Sequence, residues 1–139
     1  DLLLQFDADL FDNPVRPDQA RAFLADPMHA MTVAFAAGEA VGFASGQVML
    51  YPDKPPSFFI AEVGVHASFR RRGSARQMCD TLIAEAKARG CEGVWVATEL
   101  SNAPARALYA DIGARETTDV VVYDWDDPEM DAPDETSKQ

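Results

Sequence analysis

Cysteine and histidine are scarce in this sequence, two of each in 139 residues, and their placement excludes two function classes. Cys79 and Cys91 form no Cys-x-x-Cys pair and neither has a histidine at metal-ligand spacing, so a disulfide framework and a zinc site both lack support. Both cysteines read as reduced, buried, small apolar residues, and no metal is expected. Long apolar runs are missing as well. No stretch approaches the roughly 18 to 20 residues that a membrane-spanning helix requires, and no cationic leader with an apolar segment opens the chain. The expectation is a soluble, cytoplasmic protein with no membrane partner. Positive charge is the third shortage: 12 Lys and Arg stand against 23 Asp and Glu, a formal net charge of -11. Phosphate neutralisation needs a broad basic face, so nucleic acid is not an expected partner. An acidic surface favours cationic partners instead.

What is present suffices for one core. A hydrophobic content of 47% in a chain of this length supports one compact domain and is too little for two. That domain is expected over residues 1–127, with an acidic, proline-containing tail at 128–139 that frays. The opening "DLLLQF" already reads as helical, which leaves a first strand upstream of Asp1 as an expectation. Residues 2–11 read as a short helix or pair of turns, and "DQARAFLA" as a second helix with Ala20, Phe23 and Leu24 on one face, ended by Pro27. The period then changes. "AMTVAF" and "AVGFASGQVMLY" predict an antiparallel hairpin turning near Gly38, and the apolar run "FFIAEVGV" predicts a central strand. From Gly73 the spacing of Ala75, Met78, Cys79, Leu82, Ile83 and Ala86 predicts a long helix closed by Gly90. "GVWVAT" is the next strand. "SNAPARALYADIG" is a helix capped by Ser101 or Asn102, with Pro104 in its first turn, and "TDVVVYDW" reads as a last strand. The order is that of a mixed α/β sandwich.

Against this acidic background, "FRRRGSARQM" gathers Arg70, Arg71, Arg72 and Arg76, four of nine arginines, around Gly73. The stretch joins the central strand to the start of the long helix, where the first amides lack intrahelical acceptors and the peptide dipoles add positive potential. Arginines are unfavourable there unless an anion binds. A pyrophosphate resolves the conflict: Gly73 lets it approach the backbone, Ala75 keeps the wall low, and the guanidiniums neutralise it.

Glu62 is a second anomaly, because a carboxylate inside "FFIAEVGV" sits in the most apolar strand of the chain. Alternation puts Glu62 and Gly64 on one face and Val63 and Val65 on the other. Gly64 would leave open space beside Glu62, as suits a base or an ammonium-binding group facing a cleft; a structural ion pair is the alternative. Glu99, at the end of "VWVATE", is a candidate for a second amine contact or a plain surface residue. His66 reads as structural.

Arg-x-x-Gly-x-Ala over residues 70–75, together with "IAEVGV", "VWVATE" and "NAPARALYADIGA", resembles the GCN5-related N-acetyltransferase (GNAT) superfamily across nearly the whole chain. The resemblance implies a GNAT-type mixed, largely antiparallel central sheet flanked by helices, with its central parallel strands splayed. It implies acetyl-CoA as cosubstrate. Main-chain groups of Val63, Gly64 and Val65 would take the pantetheine arm, with a bulge tolerated at Gly64. Arg70, Arg71, Arg72, Gly73, Ser74 and Ala75 would bind the pyrophosphate, with Arg76 an additional contact and Asn102 touching the arm from the other side. Tyr109 would be the acid that protonates the leaving thiolate and Glu62 the base that deprotonates the amine. Within the superfamily the chain is most similar to type I aminoglycoside (gentamicin) 3-N-acetyltransferases, which implies a cationic small-molecule amine as acceptor and a homodimer. A polyamine, a peptide or protein amine, and a non-catalytic CoA-binding module are the alternatives.

Overall fold

The computed structural model describes residues 10–126. Its first helix, α1 (Pro17–Ala25), opens with proline in its first turn, where a missing N–H costs nothing, and stops at Asp26 before Pro27. Ala20 is buried and Phe23 half-buried, but Leu24 is 54% exposed, so the stripe expected of three residues is two wide. Strands β1 (His29–Ala36) and β2 (Glu39–Met49) form the expected antiparallel hairpin. Ala37 and Gly38 both have positive φ, as a tight two-residue hairpin turn needs. β3 (Ser57–Val65) pairs antiparallel with β2, and β4 (Gly93–Val96) lies parallel to β3. The four strands run in chain order across one mixed sheet. Between β3 and β4 the chain makes a single 3-10 turn (Ala67–Phe69) and then α2 (Ser74–Ala88), closed by Gly90 in the left-handed region. After β4 comes α3 (Ala103–Asp111), capped by Asn102.

Each face of the sheet carries its own core. On one side, Met78, Cys79, Leu82 and Ala86 of α2 and Ala105 and Tyr109 of α3 pack against Ala30, Ala44, Phe58, Ile60 and Val63. Thr32 ties β1 to the same helix, its Oγ1 donating to the Met78 carbonyl at 3.1 Å. On the other side, Leu10, Ala20 and Phe43 are buried, with Phe11 stacked on Phe43 at 4.3 Å. Strict alternation along β3 would not put Phe58 and Ile60 on the same side as Val63. The register explains it: Ser45 faces Glu62 and Gly46 faces Ile60, so Ala61 is an extra residue, a bulge that shifts the parity of the strand. The bulge thus falls three residues before Gly64, the position at which the sequence suggests one.

Gly64 serves another purpose. A Cβ added there would lie 2.9 Å from the Leu10 carbonyl oxygen and 3.0 Å from the Phe43 ring, so the space expected beside Glu62 is filled by the second core. The terminal strand is also corrected. Thr117 to Trp125 form no strand, and Val120, Val121, Val122, Tyr123 and Trp125 are all exposed, because nothing among the described residues pairs with them. The helix read over residues 2–11 falls largely outside the described residues, although Leu10 and Phe11 are described and lie in no helix; the tail at 128–139 is outside them altogether. No described helix is long and apolar enough to cross a membrane.

Gly46, opposite the bulge, has the tightest surroundings of any glycine here: an added Cβ would stand 2.3 Å from the Phe59 carbonyl and 2.4 Å from the Phe58 ring. Gly46→Ala is expected to destabilise the fold by about 3 kcal/mol, the upper range for overpacking, read as a fall in the urea midpoint with unchanged slope. An unaltered midpoint would mean that the β2–β3 contact yields freely.

Candidate functional site

Parallel pairing between β3 and β4 lasts only from Ser57 opposite Gly93 to Ile60 opposite Val96. Beyond the Ala61 bulge, β3 continues along β2 alone, while the chain after Val96 turns away toward α3. The two strands therefore part, leaving one side of residues 61–65 without a strand neighbour. The His66 N–H donates to the Val41 carbonyl on β2 at 2.7 Å, so the carbonyl of the same peptide, that of Val65, points the opposite way. Alternation gives the Val63 N–H and C=O the same outward direction. Such main-chain groups suit an extended polar ligand that adds as a strand. Arg70 already uses one of them, its Nε donating to the Val65 carbonyl at 3.2 Å.

The arginine loop closes one end of this split. His66 caps the 3-10 turn by accepting the Ser68 N–H on Nδ1, the structural role expected of it. Arg71 (φ +64°) and Gly73 (φ +81°) are both left-handed, which folds the loop back on itself ahead of α2. No side chain caps that helix, and its first closing bond runs from the Gln77 N–H to the Gly73 carbonyl. The N–H groups of Ser74, Ala75 and Arg76 are thereby left for an external acceptor. Arg70, Arg71 and Arg72 are exposed around them, with the Arg72 guanidinium over the Phe69 ring at 4.9 Å. Arg76 points elsewhere: it pairs with Asp111 at the end of α3 and lies 4.0 Å from Asp80. Three of the four clustered arginines therefore face the loop, and the fourth joins two helices.

Two buried hydroxyls lie in the segment after β4 and in α3. Tyr109, on the inner face of α3, is 8% exposed, and its OH has no hydrogen-bond partner. Burial first, then the neighbouring Cys79, pushes its pKa up to about 12. It is therefore a neutral donor throughout the physiological range. Thr98 continues the inward alternation of Val94 and Val96, which pack on the α2–α3 core, and its Oγ1 is likewise buried and unpartnered. Sequence reasoning missed Thr98, because nothing in "VWVAT" shows that its hydroxyl finds no partner in the fold. Asn102 uses its side-chain oxygen to cap α3, accepting the Ala105 N–H at 3.2 Å, which leaves its amide donors for other partners.

The opposite face carries a carboxylate. Glu62 is exposed and shares the side of Gly64, away from α2. Glu99, three residues beyond the end of β4, is exposed too. The Phe59 and Trp95 rings meet at a tilt of 35° with centroids 4.4 Å apart, Trp95 remaining 47% exposed; the sequence gives no sign of this aromatic ledge. Behind Glu99, Arg106 holds the loop: it donates to the Leu100 carbonyl at 3.0 Å and binds both carboxylate oxygens of Glu116, whose pKa is lowered by that hydrogen bond and charge. Donors suited to an anion and outward main-chain groups thus flank the end of the β3–β4 pairing, with two buried hydroxyls on the α2–α3 side of the sheet and Glu62 on the other. Among the described residues no group of three or more His, Cys, Asp or Glu gathers as metal ligands would.

A family model described as the acetyltransferase (GNAT) family matches residues 2–114. The ribosomal protein bS18-alanine N-acetyltransferase of Salmonella typhimurium is 41% identical over 76 residues, 55% of this chain and 48% of that protein. Its counterpart in Escherichia coli K12 is 37% identical over 81 residues, 58% of this chain and 51% of that protein. The chain matches about half the length of these curated relatives. Among solved structures, the aminoglycoside N-acetyltransferase AAC(6')-Iy in complex with CoA aligns with a TM-score of 0.71 and 26% identity, over 78% of this chain and 84% of that one. The aminoglycoside 6'-N-acetyltransferase AAC(6')-IG of Acinetobacter haemolyticus aligns with a TM-score of 0.73 over 90% of each chain, but at 19% identity it shares the fold alone.

Tyr109 and Cys79, whose thiol is raised to about 11 by burial and then by Asp80, make stability depend on alkaline pH. Unfolded, they titrate near their ordinary values of 10.0 and 9.0. Their contribution is thus complete below pH 9 and is lost as pH rises toward 12, where the unfolded state has already released protons that the folded state retains. The urea midpoint is expected to fall steadily above about pH 9, and less steeply in Cys79→Ala. Identical slopes in both proteins would show that the thiol does not carry this dependence.

Proposed function

Because this chain belongs to the acetyltransferase (GNAT) family, we propose that it moves an acetyl group from acetyl-CoA to a primary amine of a cationic, aminoglycoside-like small molecule, by direct attack on the thioester. The observation that carries this reading is the split between β3 and β4, lined by outward main-chain groups and ending at an uncapped, arginine-flanked helix N-terminus. Arg70, Arg71 and Arg72, with the N–H groups after Gly73, hold the pyrophosphate. Val63 and Val65 hold the arm through backbone hydrogen bonds, Gly64 letting the strand lie close to Leu10 and Phe43 behind them. Asn102 contacts the arm from the α3 side. The unsatisfied Tyr109 hydroxyl fits a cosubstrate that brings its own acceptor.

Acetyl-CoA supplies an electrophilic carbonyl and a leaving sulfur. The chain's own residues manage protons on either side of it. An alkylammonium with a pKa near ~10 must lose a proton before attack, and Glu62 accepts it directly or through water. Tyr109 donates its proton to the departing sulfur. Glu99 binds a second ammonium, and the Phe59–Trp95 ledge offers a flat face to a sugar ring or cation. The resemblance in sequence is to 3-N enzymes, whereas these solved neighbours carry 6' designations. The acceptor is therefore proposed as an amine of the sugar without a ring position. The reaction is placed in the cytoplasm.

One observation favours a second acceptor, the alanine terminus of a protein: the 41% identity to bS18-alanine N-acetyltransferase over 76 residues. A polyamine fits the same carboxylates, and a CoA-binding module without turnover fits the split alone. The active form is proposed as a homodimer in which the exposed apolar residues from Val120 to Trp125 are covered by a second copy.

Thiol release from acetyl-CoA, followed over a panel of gentamicin- and neamine-type aminoglycosides, spermidine and peptides with an alanine terminus, tests the reading. Turnover is expected with the aminoglycosides. Turnover with the peptides alone would replace that acceptor, and a failure to bind acetyl-CoA would overturn the whole proposal. Glu62→Gln and Tyr109→Phe should each lower kcat about 100-fold, the lower range for acid–base catalysis, with acetyl-CoA binding retained. Arg71→Ala and Arg72→Ala should instead weaken acetyl-CoA binding about tenfold each; unchanged affinity would remove the pyrophosphate assignment.

A further inference from the structure

Among the described residues that are not exposed, only Thr98 Oγ1 and the Tyr109 hydroxyl are buried side-chain polar atoms without a partner. They lie on different elements, Thr98 just after β4 and Tyr109 within α3. Both nevertheless belong to one side of the sheet: Tyr109 lies within the α2–α3 core, and Thr98 follows Val94 and Val96, which pack on that same core. Thr98 also stands just past the last residue of β4, where β3 and β4 have ceased to pair. A buried hydroxyl that makes no hydrogen bond costs folding stability and is uncommon in a native core. Two on the same side of the sheet, near the end of the β3–β4 pairing, therefore point to an acceptor that arrives with a ligand.

The surroundings limit what that acceptor is. Cys79, Leu82 and Ala105 share a core cluster with Tyr109, and Val94 and Val96 pack on it, so this side of the sheet is apolar. A fixed negative charge in the resting ligand would be poorly solvated there. A weak, polarizable acceptor that gains charge only during reaction suits the place better, and it needs two donors most at the moment the charge appears.

Resting on the acetyl-CoA reading above, we propose that Thr98 and Tyr109 form a two-donor recess for the sulfur of CoA, with Thr98 acting as the second hydrogen-bond donor to that atom. When the C–S bond breaks, its electron pair goes to sulfur. Tyr109 transfers its proton there, while Thr98, a far weaker acid, keeps its own and contributes only a hydrogen bond. The roles divide by chemistry: one hydroxyl is consumed and regenerated, and the other holds the sulfur in line with it.

The test compares the affinity of CoA with that of desulfo-CoA by calorimetry, for the wild type, Thr98→Val and Thr98→Ser, together with the melting temperature of each ligand-free protein. Valine has the shape of threonine without the hydroxyl. Thr98→Val is expected to melt at or above the wild-type temperature, because a buried unpaired hydroxyl has been removed. It should bind CoA about fivefold more weakly, a neutral hydrogen bond's worth, while desulfo-CoA affinity stays constant. Thr98→Ser should restore the preference for CoA. A wild-type CoA to desulfo-CoA ratio in Thr98→Val would overturn the assignment while leaving the acetyl-CoA reading intact. A lower melting temperature with equal loss of both ligands would make Thr98 structural and also overturn it. Failure of the wild type to bind either ligand would remove the acetyl-CoA reading itself.

Discussion

Parallel pairing between β3 and β4 ends after four residue pairs, and the single extra residue at Ala61 governs the course of β3 beyond that point. A regular strand would carry Val63 and Val65 to the side of Phe43 and turn Glu62 into the α2–α3 core, where an ionised carboxylate would be badly solvated. With Ala61 bulged, the parity reverses. Phe58, Ile60 and Val63 share one core, Glu62 and Gly64 face the other way, and main-chain groups of residues 61–65 remain on the side that β4 has left. The cost is borne by Gly46 across the ladder, where the Phe59 carbonyl and Phe58 ring leave no room for a side chain. One bulge thus places a carboxylate, opens a split and dictates a glycine in the neighbouring strand.

Helix α2 uses the opening. An α-helix N-terminus is ordinarily satisfied by a capping side chain, yet α2 begins at Gly73, which has none, amid three exposed arginines. In isolation that arrangement is electrostatically poor, because the helix dipole and the guanidiniums carry the same sign. An anion at this end would reverse the sign of that interaction, since it is attracted by both the dipole and the guanidiniums. Arg76 shows the alternative. In the first turn of the helix, it finds Asp111 on α3 and ties the two helices together.

The range of each interaction decides how much of this is legible in the sequence. The hairpin, β3, α2 and α3 are all readable, because apolar periodicity and the glycines at 38, 73, 90 and 113 report local conformation directly. The sequence misplaces the bulge at Gly64 because a bulge is a relation between two strands; the residue that reveals it, Gly46, lies elsewhere in the chain. The final strand fails for a related reason. "TDVVVYDW" has the composition of a strand, but a strand exists only with a partner, and the described residues provide none. Arg71, Gly73, Glu62 and Tyr109 can be singled out as chemical anomalies or motif positions. Thr98 cannot, since its interest depends on the absence of any neighbour to bond it.

The placement of the titrating groups also bears on why the site is built across a sheet and not within a pocket on one side of it. Glu62 and Glu99 are both exposed to solvent, away from the apolar α2–α3 core. Tyr109 lies within that core, where burial holds its proton up to about pH 12. A base and an acid in one shared environment would tend to neutralise each other's function, the first losing its charge to desolvation or the second its proton to water. The sheet separates these two environments by the thickness of a single strand, and the pairing of β3 with β4 ends at Ile60, immediately before the bulge at Ala61.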